Sequence, residues 1–273
     1  MTESLDLPLL LEPDALEPLL GHADVLIVDL STPETHRRAH VPGAVFVPFQ
    51  QTMLGAPPTP GGLPDAGHLE QLLSAIGLTD SKWVVVYDDE GGGWAGRFIW
   101  LLDCVGHHRY AYLNGGIHGW LAEQMPVSQE VTQPQATNFQ VTVVEGCSAD
   151  KDYLLQNLER DDLVVWDARS PEEYAGLRVN AQKAGHIPGA KNYEWTRAMD
   201  RHNGLKIRDH ETLRNELAEC GISGDKEIIT HCQSHHRSGF TYMLGKILGF
   251  KHIKAYPGSW SEWGNDPDTP VEV

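Results

Sequence analysis

The chain has 273 residues, with 38 Asp and Glu against 21 Lys and Arg, a formal net charge of −17, 14 His and 4 Cys. At 41% hydrophobic and 22% charged residues it is too apolar for disorder, and its acidity argues against general phosphate-backbone binding, so nucleic acid is not an expected partner. At about 150 residues per domain the length implies two domains or one large α/β domain.

Residues Met1 to Pro8 carry neither a basic segment nor the apolar core of a signal peptide. No stretch approaches the ~20 apolar residues of a membrane span, so a cytoplasmic chain without membrane partners is expected. Val25–Asp29 and Val84–Tyr87 are short runs rich in β-branched residues, as buried parallel strands are. Thr32-Pro33-Glu34 starts a helix between them. Residues 127–138, rich in Gln, Thr and Pro, have linker composition. Val164–Asp167 and Ile228–His231 repeat the strand pattern, and Ser170-Pro171-Glu172-Glu173 is a capping box with proline at the first helical position. Phe240, Met243, Leu244, Ile247 and Leu248 form an amphipathic stripe closed by Gly249. This alternation predicts open, mostly parallel α/β sheets flanked by helices, with ligands at the carboxyl ends of the strands.

The sequence also repeats itself. The strand and helix start around Asp29 recur around Asp167, and His40-Val41-Pro42-Gly43-Ala44 recurs as His186-Ile187-Pro188-Gly189-Ala190. Gly96, Gly115 and Trp120 recur as Gly239, Gly258 and Trp263. A period of about 140 residues far exceeds that of solenoid repeats and indicates a duplicated domain. The expected division is 1–126, linker 127–138, and 139–273.

One segment carries chemistry. Cys232 follows the strand ending at His231, and Gln233, Ser234, His235 and His236 lead to Arg237, where the helix containing Ser238 and Gly239 begins. Backbone N–H groups of such a loop can form an anion-binding nest, and a helix N-terminus with nearby cations lowers a thiol's pKa. Arg237, and His235 or His236 when protonated, are the cations on offer. This arrangement suits a thiolate attacking an anionic substrate. With the copies aligned on their glycines, Asp89 stands in the place of Cys232 and Trp94 in that of Arg237. Nucleophile and cation are both missing there, and carboxylates in the loop would repel an anion. One active and one inactive copy are expected.

Blander readings cover most other singled-out residues. Cys104, Cys147 and Cys220 form no CxxC pair and read as free, buried thiols of a reducing compartment. His107-His108 reads as a solvated turn, His40 and His186 as structural turn residues, and Trp120 and Trp263 as packing residues. Adjacent histidines on one tight loop diverge, and no distant ligand pair accompanies Cys232, so neither metal nor cofactor is expected.

Together, the two Asp-x-[Arg/Ser]-x-Pro-Glu strand ends, the two His-[Val/Ile]-Pro-Gly-Ala turns, the single cysteine loop and the closing Ala255–Trp263 segment resemble the rhodanese family over nearly the whole chain. The loop Cys-Gln-x-His-His-Arg is similar to that of bacterial tandem-domain thiosulfate:cyanide sulfurtransferases. The resemblance implies a ping-pong reaction. Cys232 takes the outer sulfur of thiosulfate as a persulfide, releases sulfite, and gives the sulfur to an acceptor such as cyanide. It also implies that residues 233–238 stabilise the persulfide and donor, with Arg237 as the cation, and that Trp195 lies near the pocket. Gln233 and His235 depart from both the thiosulfate and the 3-mercaptopyruvate loop patterns of the family. A 3-mercaptopyruvate sulfurtransferase and a persulfide carrier delivering sulfur to a partner protein therefore stay open as alternatives. Cysteine phosphatases use Cys-x5-Arg, and Cys232 to Arg237 is one residue shorter, a cradle that suits sulfur better than phosphate.

Overall fold

The computed structural model describes residues 5–273; Met1 to Ser4, part of the segment in which a signal peptide is not expected, lie outside them. The first unit alternates β1 (Leu10–Leu11), α1 (Pro13–Leu16), β2 (Val25–Asp29), α2 (Pro33–Arg38), β3 (Val45–Phe46), α3 (Ala66–Ala75), β4 (Trp83–Tyr87), α4 (Gly93–Cys104), β5 (Tyr110–Leu113) and α5 (Gly116–Ala122). Its five strands form a sheet in the order β1-β5-β4-β2-β3, and every pair is parallel. The second unit contains α6 (Lys151–Asn157), β6 (Leu163–Asp167), α7 (Pro171–Tyr174), β7 (Lys191–Asn192), β8 (Met199–Asp200), β9 (Lys206–Ile207), α8 (His210–Glu219), β10 (Glu227–His231), α9 (Arg237–Ile247), β11 (Ile253–Ala255) and α10 (Ser259–Trp263). Here the parallel order is β11-β10-β6-β7, and β8 and β9 form a separate antiparallel pair.

The central strands are apolar on both faces, and all of β4 and β6 is buried, as helices on both sides of a parallel sheet require. The capping box forms as read: Ser170 Oγ accepts from Glu173 N–H at 3.3 Å, and the Glu173 carboxylate accepts from Ser170 N–H at 3.2 Å. Helix α9 buries Phe240, Met243 and Leu244, and Gly249 follows it with φ +84°.

The repeated residues do matching work. Trp120 Nε1 donates to the Pro126 carbonyl at 2.7 Å and Trp263 Nε1 to that of Pro270 at 2.8 Å. His40 Nδ1 meets the His36 carbonyl and His186 Nδ1 that of Tyr174, while both histidine backbones pair with a returning segment, at Ser128 and Glu272. Helices α4 and α9 cross at Gly96 and Gly239, where a Cβ on Gly96 would lie 2.3 Å from the Gly239 carbonyl oxygen. Only a residue without a side chain permits that approach.

Two expectations are corrected. Cys104, at the end of α4, is joined to Cys147 in a disulfide with Cα atoms 5.9 Å apart, so it is Cys220 and Cys232 that are free. The 43 residues between the partners conceal that the connecting segment doubles back over α4, where Val144 N–H donates to the Cys104 carbonyl. His107 is buried against Phe139 of that same segment, while His108 is exposed and pairs with Asp103.

Candidate active site

Strand β10 delivers Cys232 to the carboxyl edge of the second sheet, and residues 232–236 carry the chain into α9. Cys232 is buried and held on both backbone sides: its N–H donates to Ser259 Oγ at 3.3 Å and its carbonyl accepts from Trp260 N–H at 2.9 Å. His235 has φ +53°, a left-handed conformation that turns the loop over the sulfur. Among the described residues, the N–H groups of Gln233, Ser234, His235 and His236 have no acceptor. A run of such amides at a helix start favours negative charge.

The sulfur itself has a defined donor. Ser238 Oγ donates to Cys232 Sγ at 3.4 Å, and His235 Nδ1 lies 2.8 Å from the same hydroxyl oxygen. The hydroxyl has one proton, so His235 supplies the other as the Nδ1–H tautomer. Burial drives the His235 pKa well below its usual value and Arg97 adds to the effect, so His235 is neutral. That corrects the expectation that it could serve as a cation: His235 is fully buried beside Trp100, where an imidazolium is not solvated. His231 is likewise neutral, pushed down to about 4 by burial although Asp167 opposes the shift. Burial alone would push the Cys232 thiol up, but Arg237, the Ser238 hydroxyl and N–H, and His236 outweigh it and the pKa is lowered.

Arg237 faces the sulfur with its charge already shared. Its two terminal nitrogens donate to the Glu173 carboxylate at 2.6 and 3.0 Å, and Glu173 is held down at about 2, burial opposing and Arg237 prevailing. The other expected residues gather around the same loop with distinct postures. Gln233 turns its amide to the Asn180 carbonyl and Ser261 Oγ, at 3.3 and 3.2 Å. The Ser234 carbonyl abuts Gly61 of the first unit, where a Cβ would come within 2.2 Å. His236 stacks on Trp94 at 4.0 Å, meets Trp195 edge-on at 5.6 Å and bonds the Glu90 carboxylate. Trp195 thus reaches the site through His236 and also packs on Phe240.

The corresponding loop of the first unit is filled. Sheet register pairs Asp29 with Tyr87 and Asp167 with His231, so the residue opposite Cys232 is Asp88, not Asp89, and Gly93, not Trp94, stands opposite Arg237. The slip arises because the first copy has one residue more between strand end and the Gly96 used to align it. The buried Asp88 carboxylate accepts from the N–H groups of Glu90, Gly92, Trp94 and Ala95 at 2.8–3.1 Å. Burial and Glu90 push it up to about 6 despite those four donors. Asp89 points away and bonds Thr32.

Glu173, Ser259 and Glu90 belong to this site and escape sequence reasoning. Glu173 had a signal in its capping box, since a carboxylate that closes a helix end is placed firmly enough to hold an arginine as well. Glu90 has none, because it comes from the other unit. No group of three or more His, Cys, Asp or Glu side chains that could hold a metal ion occurs among the described residues. No helix among them is long and apolar enough to cross a membrane.

Comparison with known proteins bears on this arrangement. A family model described as the rhodanese-like domain matches residues 12–123 and 150–266. A thiosulfate sulfurtransferase of Pseudomonas aeruginosa is 52% identical over 268 residues, 98% of either chain. One of Azotobacter vinelandii is 50% identical over 273 residues, 100% of both. The anaerobic ergothioneine biosynthesis enzyme of Chlorobium limicola, in complex with trimethyl histidine, superposes with a TM-score of 0.85 at 20% identity, over 97% of this chain and 70% of that one, a likeness of fold alone.

Proposed function

The chain belongs to the rhodanese family, and on that premise we propose that it moves sulfane sulfur from thiosulfate to a thiophilic acceptor such as cyanide through a persulfide on Cys232. The Cys232 thiolate attacks the outer sulfur of thiosulfate. The Sγ–S bond forms as the donor's S–S bond breaks, and the electron pair leaves with sulfite. Cyanide then attacks the outer sulfur of the persulfide, thiocyanate departs, and the thiolate returns. Charge balances in both halves, and no oxidant or cofactor is consumed. The protein is a thiosulfate sulfurtransferase, and a cytoplasmic setting is part of the proposal.

The observation that carries this reading is the filled loop of the first unit. A persulfide extends two atoms beyond Cβ, as the Asp88 carboxylate does, and that carboxylate draws four backbone N–H groups around a negative charge. The second loop has its amides free and a thiol of lowered pKa at the same register position. The persulfide's outer sulfur is the anion this loop suits, and the Ser238 hydroxyl and N–H stabilise Sγ as the leaving thiolate.

The test is the intact mass after incubation with thiosulfate, with 3-mercaptopyruvate in parallel. An adduct of about 32 Da, absent in Cys232→Ala, is expected with thiosulfate. No adduct with either donor sinks the reading, and one with 3-mercaptopyruvate alone reassigns the donor. Adduct formation without turnover on cyanide identifies a carrier instead.

A further inference from the structure

Arg97 lies on α4 of the unit that has no cysteine, and it is fully buried. A buried guanidinium is expensive and normally sits against a carboxylate. Arg97 has no ion-pair partner among the described residues. Its Nε donates to the Thr52 carbonyl and hydroxyl, both at 3.2 Å. One terminal nitrogen donates to the carbonyls of Gly61 and His235, at 2.9 and 3.2 Å, and the other to those of Thr52 and Gly62, at 2.6 and 3.1 Å. All five N–H donors are therefore used on oxygens that carry no formal charge.

One of those oxygens belongs to the cysteine loop. The His235 carbonyl is drawn to Arg97 just where the backbone is left-handed, and the preceding carbonyl, of Ser234, is wedged on Gly61. The first unit thus grips the loop at two successive residues. Turning these carbonyls outward leaves the amides of the loop facing the sulfur. Near Cys232 there are then two guanidinium groups of different character. Arg237 is balanced by Glu173, whereas the charge of Arg97 is uncompensated until a negative charge forms in the loop.

We infer that Arg97 is a positioning residue of the Cys232 site, supplied by the other unit. It fixes the loop through the His235 carbonyl and provides the uncompensated positive charge that favours the thiolate and the persulfide. The inference rests on the reading of Cys232 as the nucleophile. Burial draws the Arg97 pKa down to about 9 while Cys232 acts to raise it, so the guanidinium stays charged at neutral pH.

Other titratable groups surround the sulfur and define the background. The loop contributes His236 and the neutral His235, β10 the neutral His231, and α9 contributes Arg237 with its partner Glu173 on α7. Asp167 on β6 stands beside His231, and Glu90 of the first unit holds His236. The test must therefore change Arg97 alone.

Alkylation of Cys232 by iodoacetamide, followed across pH by peptide mapping that separates it from Cys220, reads the thiol's pKa without any sulfur donor. Arg97→Met is expected to raise that pKa by about one unit and slow alkylation at neutral pH about tenfold. Arg97→Lys, which keeps the charge and loses the fork, is expected to hold the profile within a few tenths of a unit while lowering the melting temperature. Should Arg97→Met not fold, Arg97→Gln keeps donors for the carbonyls and removes the charge. A neutral variant whose profile superimposes on that of the parent overturns the inference, as does a lysine variant displaced as far as the neutral one. If the parent protein forms no persulfide, sulfur transfer fails by itself and the alkylation profiles still decide the role of Arg97.

Discussion

The loop after Tyr87 and the loop after His231 leave matching strands and enter helices that cross each other at Gly96 and Gly239, yet one is closed by its own side chain and the other is open. In the first, the Asp88 carboxylate takes up the amides of the turn. In the second, Cys232 is too short to do so, and the amides of residues 233–236 stay unengaged. The anion-binding property therefore belongs to the backbone of both loops, and the side chain at the strand end decides whether it is available. The sequence suggested that carboxylates would make the first loop repel anions. The structure gives a different account of that loop: Asp88 is the anion, and the turn is occupied from within.

Exchanging the two residues is the strongest way to break this comparison. Cys232→Asp is expected to fold, to take no sulfur from thiosulfate and to lose all turnover. Its carboxylate should fill the second loop, so amide hydrogen exchange at residues 233–236 should slow relative to Cys232→Ala. Adding Asp88→Cys should restore nothing, because Gly93 and Trp94 stand where Arg237 and Ser238 act on the thiol. A sulfur adduct on residue 88 would show that the loop backbone suffices without those side chains.

How much of this was legible in the sequence depended on distance along the chain. The strands, the capping box, helix α9 and the Cys232 loop are written in neighbouring residues, through periodicity and turn chemistry, and they form where the pattern places them. The duplication was legible because matched tryptophans, histidines and glycines meet matched partners. The pairs that finish the site join distant segments: Glu173 with Arg237, Glu90 with His236, and Arg97 with the His235 carbonyl. Nothing local marks them, and the Cys104–Cys147 pair was missed for the same reason. The misaligned Asp89 has another cause. Matching glycines ignores a one-residue difference between strand end and helix glycine that the hydrogen-bond register of the sheet does not.

A smaller effect sharpens the contrast between the balanced and unbalanced arginines. Glu173→Gln removes the bidentate partner of Arg237 while keeping the shape of the side chain. A loss of about 1–3 kcal/mol in stability is expected, as for a partly buried pair broken on one side. The folded Glu173 pKa, about 2, lies below its ordinary 4.5, so the carboxylate stabilises the fold above 4.5 and loses that contribution as pH falls towards 2. Urea titrations should thus show the gap between parent and variant closing over that acidic window. A gap that stays constant there would mean the ion pair is not its origin. Cys232 alkylation should be undiminished, since Arg237 keeps its charge and loses its counter-charge.

The smallest change concerns the hydroxyl that the first loop lacks altogether. Ser238→Ala removes the donor to Cys232 Sγ and leaves the backbone N–H, making the second loop more like the first, where Trp94 has no hydroxyl to offer. A neutral donor of this kind contributes about 1 kcal/mol, which corresponds to a thiol pKa raised by somewhat less than one unit. The variant should therefore lose about three- to tenfold in rate at pH values below the thiol pKa and recover most of it at alkaline pH, where thiolate forms without help. His235 loses its acceptor at the same time, so a modest fall in stability accompanies the shift. A uniform loss across pH would point instead to a loop displaced by the unpartnered His235, and the hydroxyl would then be a support of the imidazole and not a donor to sulfur.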